Sequence, residues 1–143
     1  MSPGRPDREV VRGHLMAIDE AVQVLRRHQG VTAAELRADR ERLWIVERGL
    51  QLCAQNVLDI ATHLSASAGL ATPDYATALD RLGEIGALPA DFAARLRPLA
   101  GFRNVLVHGY LAVDLDEVAR LLGARLDDFV AFAEHVDRFV QAS

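Results

Sequence analysis

Lysine is absent. All 16 basic side chains are arginines, set against 20 acidic ones for a net charge of −4, which argues against a protein that coats nucleic acid indiscriminately. Cysteine is nearly absent too: Cys53 stands alone, which excludes an intrachain disulfide framework and fits a reducing compartment. Long apolar runs are missing, and the first twelve residues are polar and charged rather than a signal-peptide core. A soluble, cytoplasmic protein is therefore expected. The five histidines (His14, His28, His63, His108, His135) include no pair three to five residues apart, so no metal site and no cofactor is expected. Phosphate-cradling G-x-x-x-x-G-K-[ST], nucleophile-elbow G-x-S-x-G and dinucleotide G-x-G-x-x-G patterns are all lacking, which removes the usual supports for nucleotide hydrolysis, esterase and Rossmann chemistry.

What is present is helical. With 143 residues, 50% of them hydrophobic, the chain is expected to form one domain over 1–143, its first six residues disordered. Gly30 to Thr32, Gly69 to Pro73, Gly86 to Pro89 and Gly109 to Asp114 divide it into five helix-like stretches. Val11, Leu15, Ile18, Val22 and Leu25 share one helical face. Thr32 and Glu35 form a capping box, and behind it Leu36, Leu43, Leu50, Val57 and Leu64 recur every seventh residue, with Val46, Cys53 and Ile60 between them. That register predicts one helix of about nine turns. Cys53 sits at an apolar position of it and reads as a small core residue.

Thr72-Pro73 reads as the start of a third helix carrying Tyr75, Leu79 and Leu82 inward. Pro89 opens a fourth through Phe92, Leu96, Leu99 and Leu106, in which Pro98 predicts a kink or two abutting helices. Asp114 and Glu117 suggest a second capping box, ahead of a last helix with Val118, Leu122, Phe129, Phe132, Val136 and Val140. No segment alternates with period two. The expected fold is all-α, an up-and-down antiparallel bundle of about five helices.

Charge is uneven along this chain. Between Asp91 and Asp114 there is no acidic residue, yet Arg95, Arg97 and Arg103 fall there, so an acidic protein is expected to carry one basic patch. Inside it the stretch Phe102 to Tyr110 reads F-R-N-V-L-V-H-G-Y. Arg103 and Tyr110 share a helix face, as do Asn104 and His108, while Arg103 and His108 lie about 140° apart around a regular helix. Gly109 lets the chain turn after His108. A helix end offers a plain reading: histidine on the dipole, glycine as stop, tyrosine packing back. The chemical reading starts from the arginine fork, which matches a phosphate, and from histidine, which takes and gives protons near neutral pH. Without a carboxylate cluster for Mg²⁺, this pair suits metal-free RNA cleavage, in which the ribose 2′-hydroxyl attacks the adjacent phosphorus. His108 would serve as general base or acid and Arg103 would stabilise transition-state charge. One histidine does not easily make both proton transfers, so a second copy in a twofold dimer is attractive. Asp59 and His63, four apart on one helix face, read as a polar pair.

These residues resemble the HepT family of HEPN-domain proteins, the toxin half of HepT/MntA toxin–antitoxin pairs. The family signature is Arg, four to six residues, His, any residue, Tyr; Arg103, His108 and Tyr110 fill it, with Asn104 as the usual residue after the arginine. Glu47, Arg48, Leu50 and Gln51, the run Asp59 to His63, and Asp114 with Val118 extend the likeness over roughly residues 40 to 135. The resemblance implies a homodimeric bundle whose two signature segments meet at a cleft and form a metal-independent endoribonuclease of a type VII toxin–antitoxin system. It also implies an MntA-type nucleotidyltransferase antitoxin that transfers AMP from ATP to the signature tyrosine, here Tyr110. Catalysis would then rest on Arg103 and His108. Asn104 and Tyr110 would assist, and Asp59 and His63 would support the site through other residues. A non-catalytic helical adaptor, binding a nucleotidyltransferase or a nucleotide through the same Arg/His patch, is the alternative.

Overall fold

The computed structural model describes residues 5–108 and 114–143, with the backbone alone for Val107 and His108. Eight helices fill the described residues, with no strand among them. The first, α1 (Arg8–Arg26), is capped by Asp7, whose carboxylate accepts from the Glu9 and Val10 amides. Next come α2 (Ala33–Ala38), α3 (Arg40–Ser67), α4 (Tyr75–Glu84), α5 (Ala90–Leu96), α6 (Pro98–His108), α7 (Leu115–Ala124) and α8 (Leu126–Gln141). None among the described residues is long and apolar enough to cross a membrane.

Helix α3 is the axis of the bundle, packed against α1, α2, α4 and α6 and touching α8. Cross-links fix the directions. Asp7 reaches His63, His14 reaches Asn56 and Arg42 reaches His28, so rising numbers on α1 meet falling numbers on α3. Likewise Arg26 pairs with Asp127 while Arg8 reaches the carbonyls of Gln141 and Ser143, so α1 and α8 are antiparallel. The all-α antiparallel bundle is what the helical periodicity requires. Every apolar residue assigned to the long register is buried: Leu36, Leu43, Val46, Leu50, Cys53, Val57, Ile60 and Leu64.

The boundaries differ from expectation in four places. The capping box of Thr32 and Glu35 is present in both halves, but the nine-turn helix is split at Asp39, which is extended (φ −125°, ψ 94°). Its carboxylate caps α3 through the Arg42 amide, the local competition with the backbone that makes aspartate a poor helix-interior residue. The last stretch is also two helices, parted at Arg125, whose guanidinium bonds Asp128 in the first turn of α8. Helix α4 begins two residues after Thr72-Pro73, because Asp74 caps it through the Thr77 amide. At Asp114 only half of a box forms: Asp114 accepts from the Asp116 and Glu117 amides, while the Glu117 carboxylate turns to Arg120. At Pro98 the two abutting helices are found, with proline at the first position of α6, where a missing amide is harmless. Of the six N-terminal residues expected to be disordered, the first four lie outside the described residues.

Close approach of α1 and α3 requires Gly49. A Cβ there would stand 2.6 Å from Cδ2 and 2.8 Å from Cγ of Leu25, itself fully buried. Gly49→Ala is therefore expected to destabilise the bundle. Overpacking of about 1–3 kcal/mol outweighs the roughly 1 kcal/mol that alanine gains in helix propensity. Urea unfolding would show a lower midpoint at an unchanged slope.

Candidate functional site

The acid-free window of the sequence is not a free basic patch in space. Arg95 on α5 lies over the Phe92 ring and pairs with Asp128 of α8 at 3.0 Å. Arg97, between α5 and α6, pairs with Asp80 of α4 at 3.0 Å. Two of the three arginines expected to form the patch are thus paired with acids that other helices bring to them, Asp128 being shared with Arg125. A linear window does not show this.

Arg103, on α6, is held differently. Its Nε donates to Oε1 of Gln55 on α3 at 2.6 Å, and its Nη1 to Oδ1 of Asn104 at 3.2 Å. Its Cζ stands 5.6 Å from the centre of the Tyr75 ring, a cation–π contact from the start of α4. Its hydrogen-bond partners among the described residues are therefore amide oxygens, which fix the group while leaving it a full positive charge. Asn104 is exposed and Arg103 half-buried, so the head reaches solvent from an anchored base.

The backbone of α6 continues through His108, five residues and about 7.5 Å along the axis from Arg103. The His108 side chain and the whole of Tyr110 lie outside the described residues. The two remaining candidates have separate partners. Asp59 accepts from Nε2 of Gln55 at 2.8 Å and so stands behind Arg103 at one remove. His63 is placed elsewhere in its described contacts: its Nε2 accepts from the Asp7 backbone amide at 3.0 Å, a bond that ties the start of α1 to α3. The expected Asp59–His63 pair is replaced by these two contacts.

Gln55 was missed by sequence reasoning. Its signal was positional: it lies four residues before Asp59 and so on the same face of α3.

Among the described residues no group of three His, Cys, Asp or Glu side chains is placed to hold a metal ion. Burial pushes the Cys53 thiol up to about 12, so at neutral pH it stays protonated in the core and is no nucleophile. What the described arrangement offers chemically is one anchored guanidinium at the surface, on the helix that also carries His108.

The chain matches, over residues 18–136, the profile of a family described as Ribonuclease HepT-like. It is 23% identical over 133 residues to the tRNA nuclease HepT of Aphanizomenon flos-aquae, an alignment covering 92% of this chain and 90% of that protein. It is 28% identical over 86 residues to the mRNA nuclease HepT of Shewanella oneidensis, covering 59% of this chain and 65% of that one. Among solved structures, a tri-AMPylated Shewanella oneidensis HEPN toxin in complex with its MNT antitoxin superposes with a TM-score of 0.79 at 21% identity, over 90% of this chain and 97% of that one. YutE of Bacillus subtilis, a cytosolic protein of unknown function, superposes with a TM-score of 0.82 at 17% identity, over 96% and 92% of the two chains.

Proposed function

Because the chain belongs to the HepT-like ribonuclease family, we propose that it is a metal-independent endoribonuclease toxin, paired with an MntA-type nucleotidyltransferase antitoxin in a type VII system and working in the cytoplasm. The observation that carries this reading is Arg103. It is the arginine of the acid-free window whose partners among the described residues are amide oxygens, and it stands on α6 with His108. The nuclease names of both relatives support the reading.

In the proposed reaction the 2′-oxygen forms a bond to the adjacent phosphorus as the bond from phosphorus to the 5′-oxygen breaks. A base takes the 2′-hydroxyl proton and an acid returns one to the leaving 5′-oxygen. The products are a 2′,3′-cyclic phosphate and a 5′-hydroxyl. Arg103 carries the developing charge on the phosphoryl oxygens, and His108 moves protons. Arg103 and His108 sit about 140° apart on one regular helix, so one chain alone is poorly arranged to close on a single phosphate. A twofold dimer answers this by facing the arginine of one copy toward the histidine of the other and supplying the second histidine. Val105, 42% exposed on α6 between Asn104 and Leu106, offers apolar surface for a second copy to cover.

Silencing follows from the same chemistry. AMP attached to Tyr110 would place a phosphate near Arg103 and occupy the substrate's position. Intact mass spectrometry of the chain coexpressed with the nucleotidyltransferase from the neighbouring reading frame tests this. Multiples of the AMP mass on Tyr110, with cleavage lost in step, are expected. Tyr110→Phe is expected to stay unmodified, and AMP on another residue would contradict the assignment.

A further inference from the structure

The support of Arg103 has an internal logic of its own. A carboxylate only accepts hydrogen bonds, so the end of the Gln55 amide that meets Asp59 Oδ1 at 2.8 Å must be the NH₂ group. That same end lies 3.4 Å from the Tyr75 hydroxyl. The amide oxygen is left to face Arg103, which only donates, and it does so at 2.6 Å from Nε. Asp59 thus fixes which way the amide points. Nε bonds Gln55, Nη1 bonds Asn104, and the Tyr75 ring stands against the guanidinium carbon. Among the described residues these contacts occupy Nε and one proton of Nη1 and leave Nη2 for an anion.

The contrast with the neighbouring arginines gives the choice of an amide its meaning. Asp128 and Asp80 pair with Arg95 and Arg97 at 3.0 Å each and offset positive charge there, Asp128 being shared with Arg125. A carbonyl oxygen gives a directional grip and no such offset.

We propose that Gln55, oriented by Asp59, is a positioning residue that presents Arg103 to an RNA phosphate with its charge intact. This rests on the reading of Arg103 as the phosphate ligand.

The test uses the full chain and a short fluorescein-labelled 2′-O-methyl RNA, which lacks a free nucleophile and reports binding alone. Anisotropy titrations across a NaCl series give the slope of log K against log salt. Arg103→Ala is expected to lower that slope by about 0.7 per site, one phosphate contact on a single strand. Gln55→Glu is expected to lower it nearly as much, because the new carboxylate pairs with the guanidinium, and to raise KM for unmodified RNA about tenfold; the new carboxylate also meets Asp59 where an NH₂ group donated, which acts to lower the thermal midpoint. A wild-type slope and KM in Gln55→Glu, alongside a reduced slope in Arg103→Ala, overturn the role of Gln55 and leave the phosphate reading standing. A wild-type slope in Arg103→Ala overturns that reading and the proposal with it. Should Gln55→Glu lower the thermal midpoint, Asp59→Asn decides. It keeps the size of both side chains but lets the amide turn over, so a KM raised several-fold supports the proposal and an unchanged KM overturns it.

Discussion

His108→Ala is expected to lower the rate of RNA cleavage by about 10²- to 10⁴-fold, the range general acid–base catalysis supplies. The loss should fall on kcat. Arg103 is anchored on Gln55 and not on His108 among the described contacts, so RNA is expected still to bind. In the dimer that the proposed function calls for, one histidine takes the 2′-hydroxyl proton and the other protonates the leaving oxygen, and the wild-type pH–rate profile should be bell-shaped. The variant should lose both limbs together, since each dimer loses base and acid at once. Single-turnover cleavage measured from pH 5 to 9 checks this. A variant that retains the bell would move the proton transfers to other groups.

Arg103→Ala is the second large effect, a fall on the order of 10² to 10³ in cleavage, as when one preorganised donor to a developing oxyanion is removed. Here both kcat and KM should suffer, because the guanidinium meets the phosphate in the ground state and more strongly as charge builds. Arg103→Lys should recover little. An ammonium is a point charge without the Nε that donates to Gln55, so it would lose the anchor as well as the fork. Circular dichroism and thermal midpoints near wild type are expected for both variants, since the Arg103 head is half-exposed and belongs to no apolar cluster.

The fold was largely legible because its signal is repetitive. A buried residue every third or fourth position, sustained from Leu43 to Leu64 with Leu36 seven residues earlier, survives any single exception, and all of those residues are in the core. The breaks at Asp39 and Arg125 were not legible for the same reason: one non-helical residue leaves the apolar register on either side intact. Asp39 and Asp74 act through a single side chain bonding a nearby amide. In sequence they do not differ from aspartates such as Asp19 and Asp59, which sit within helices.

The candidate site divides in the same way. Arg103 was visible by its spacing to His108 and Tyr110. Its support by Gln55 depends on a contact 48 residues away between α3 and α6, which local pattern does not encode. The supposed basic patch failed for the converse reason, since Asp80 and Asp128 are distant in sequence and adjacent in space.

The central claim, that this chain cleaves RNA with its own arginine and histidine and without a metal ion, meets its most direct test in one incubation. Purified protein, free of its antitoxin, is mixed with single-stranded RNA in excess EDTA, and the new ends are identified by mass spectrometry. Fragments ending in 2′,3′-cyclic phosphate and beginning with 5′-hydroxyl are predicted. No cleavage until Mg²⁺ is restored, or 5′-phosphate ends, would contradict the account.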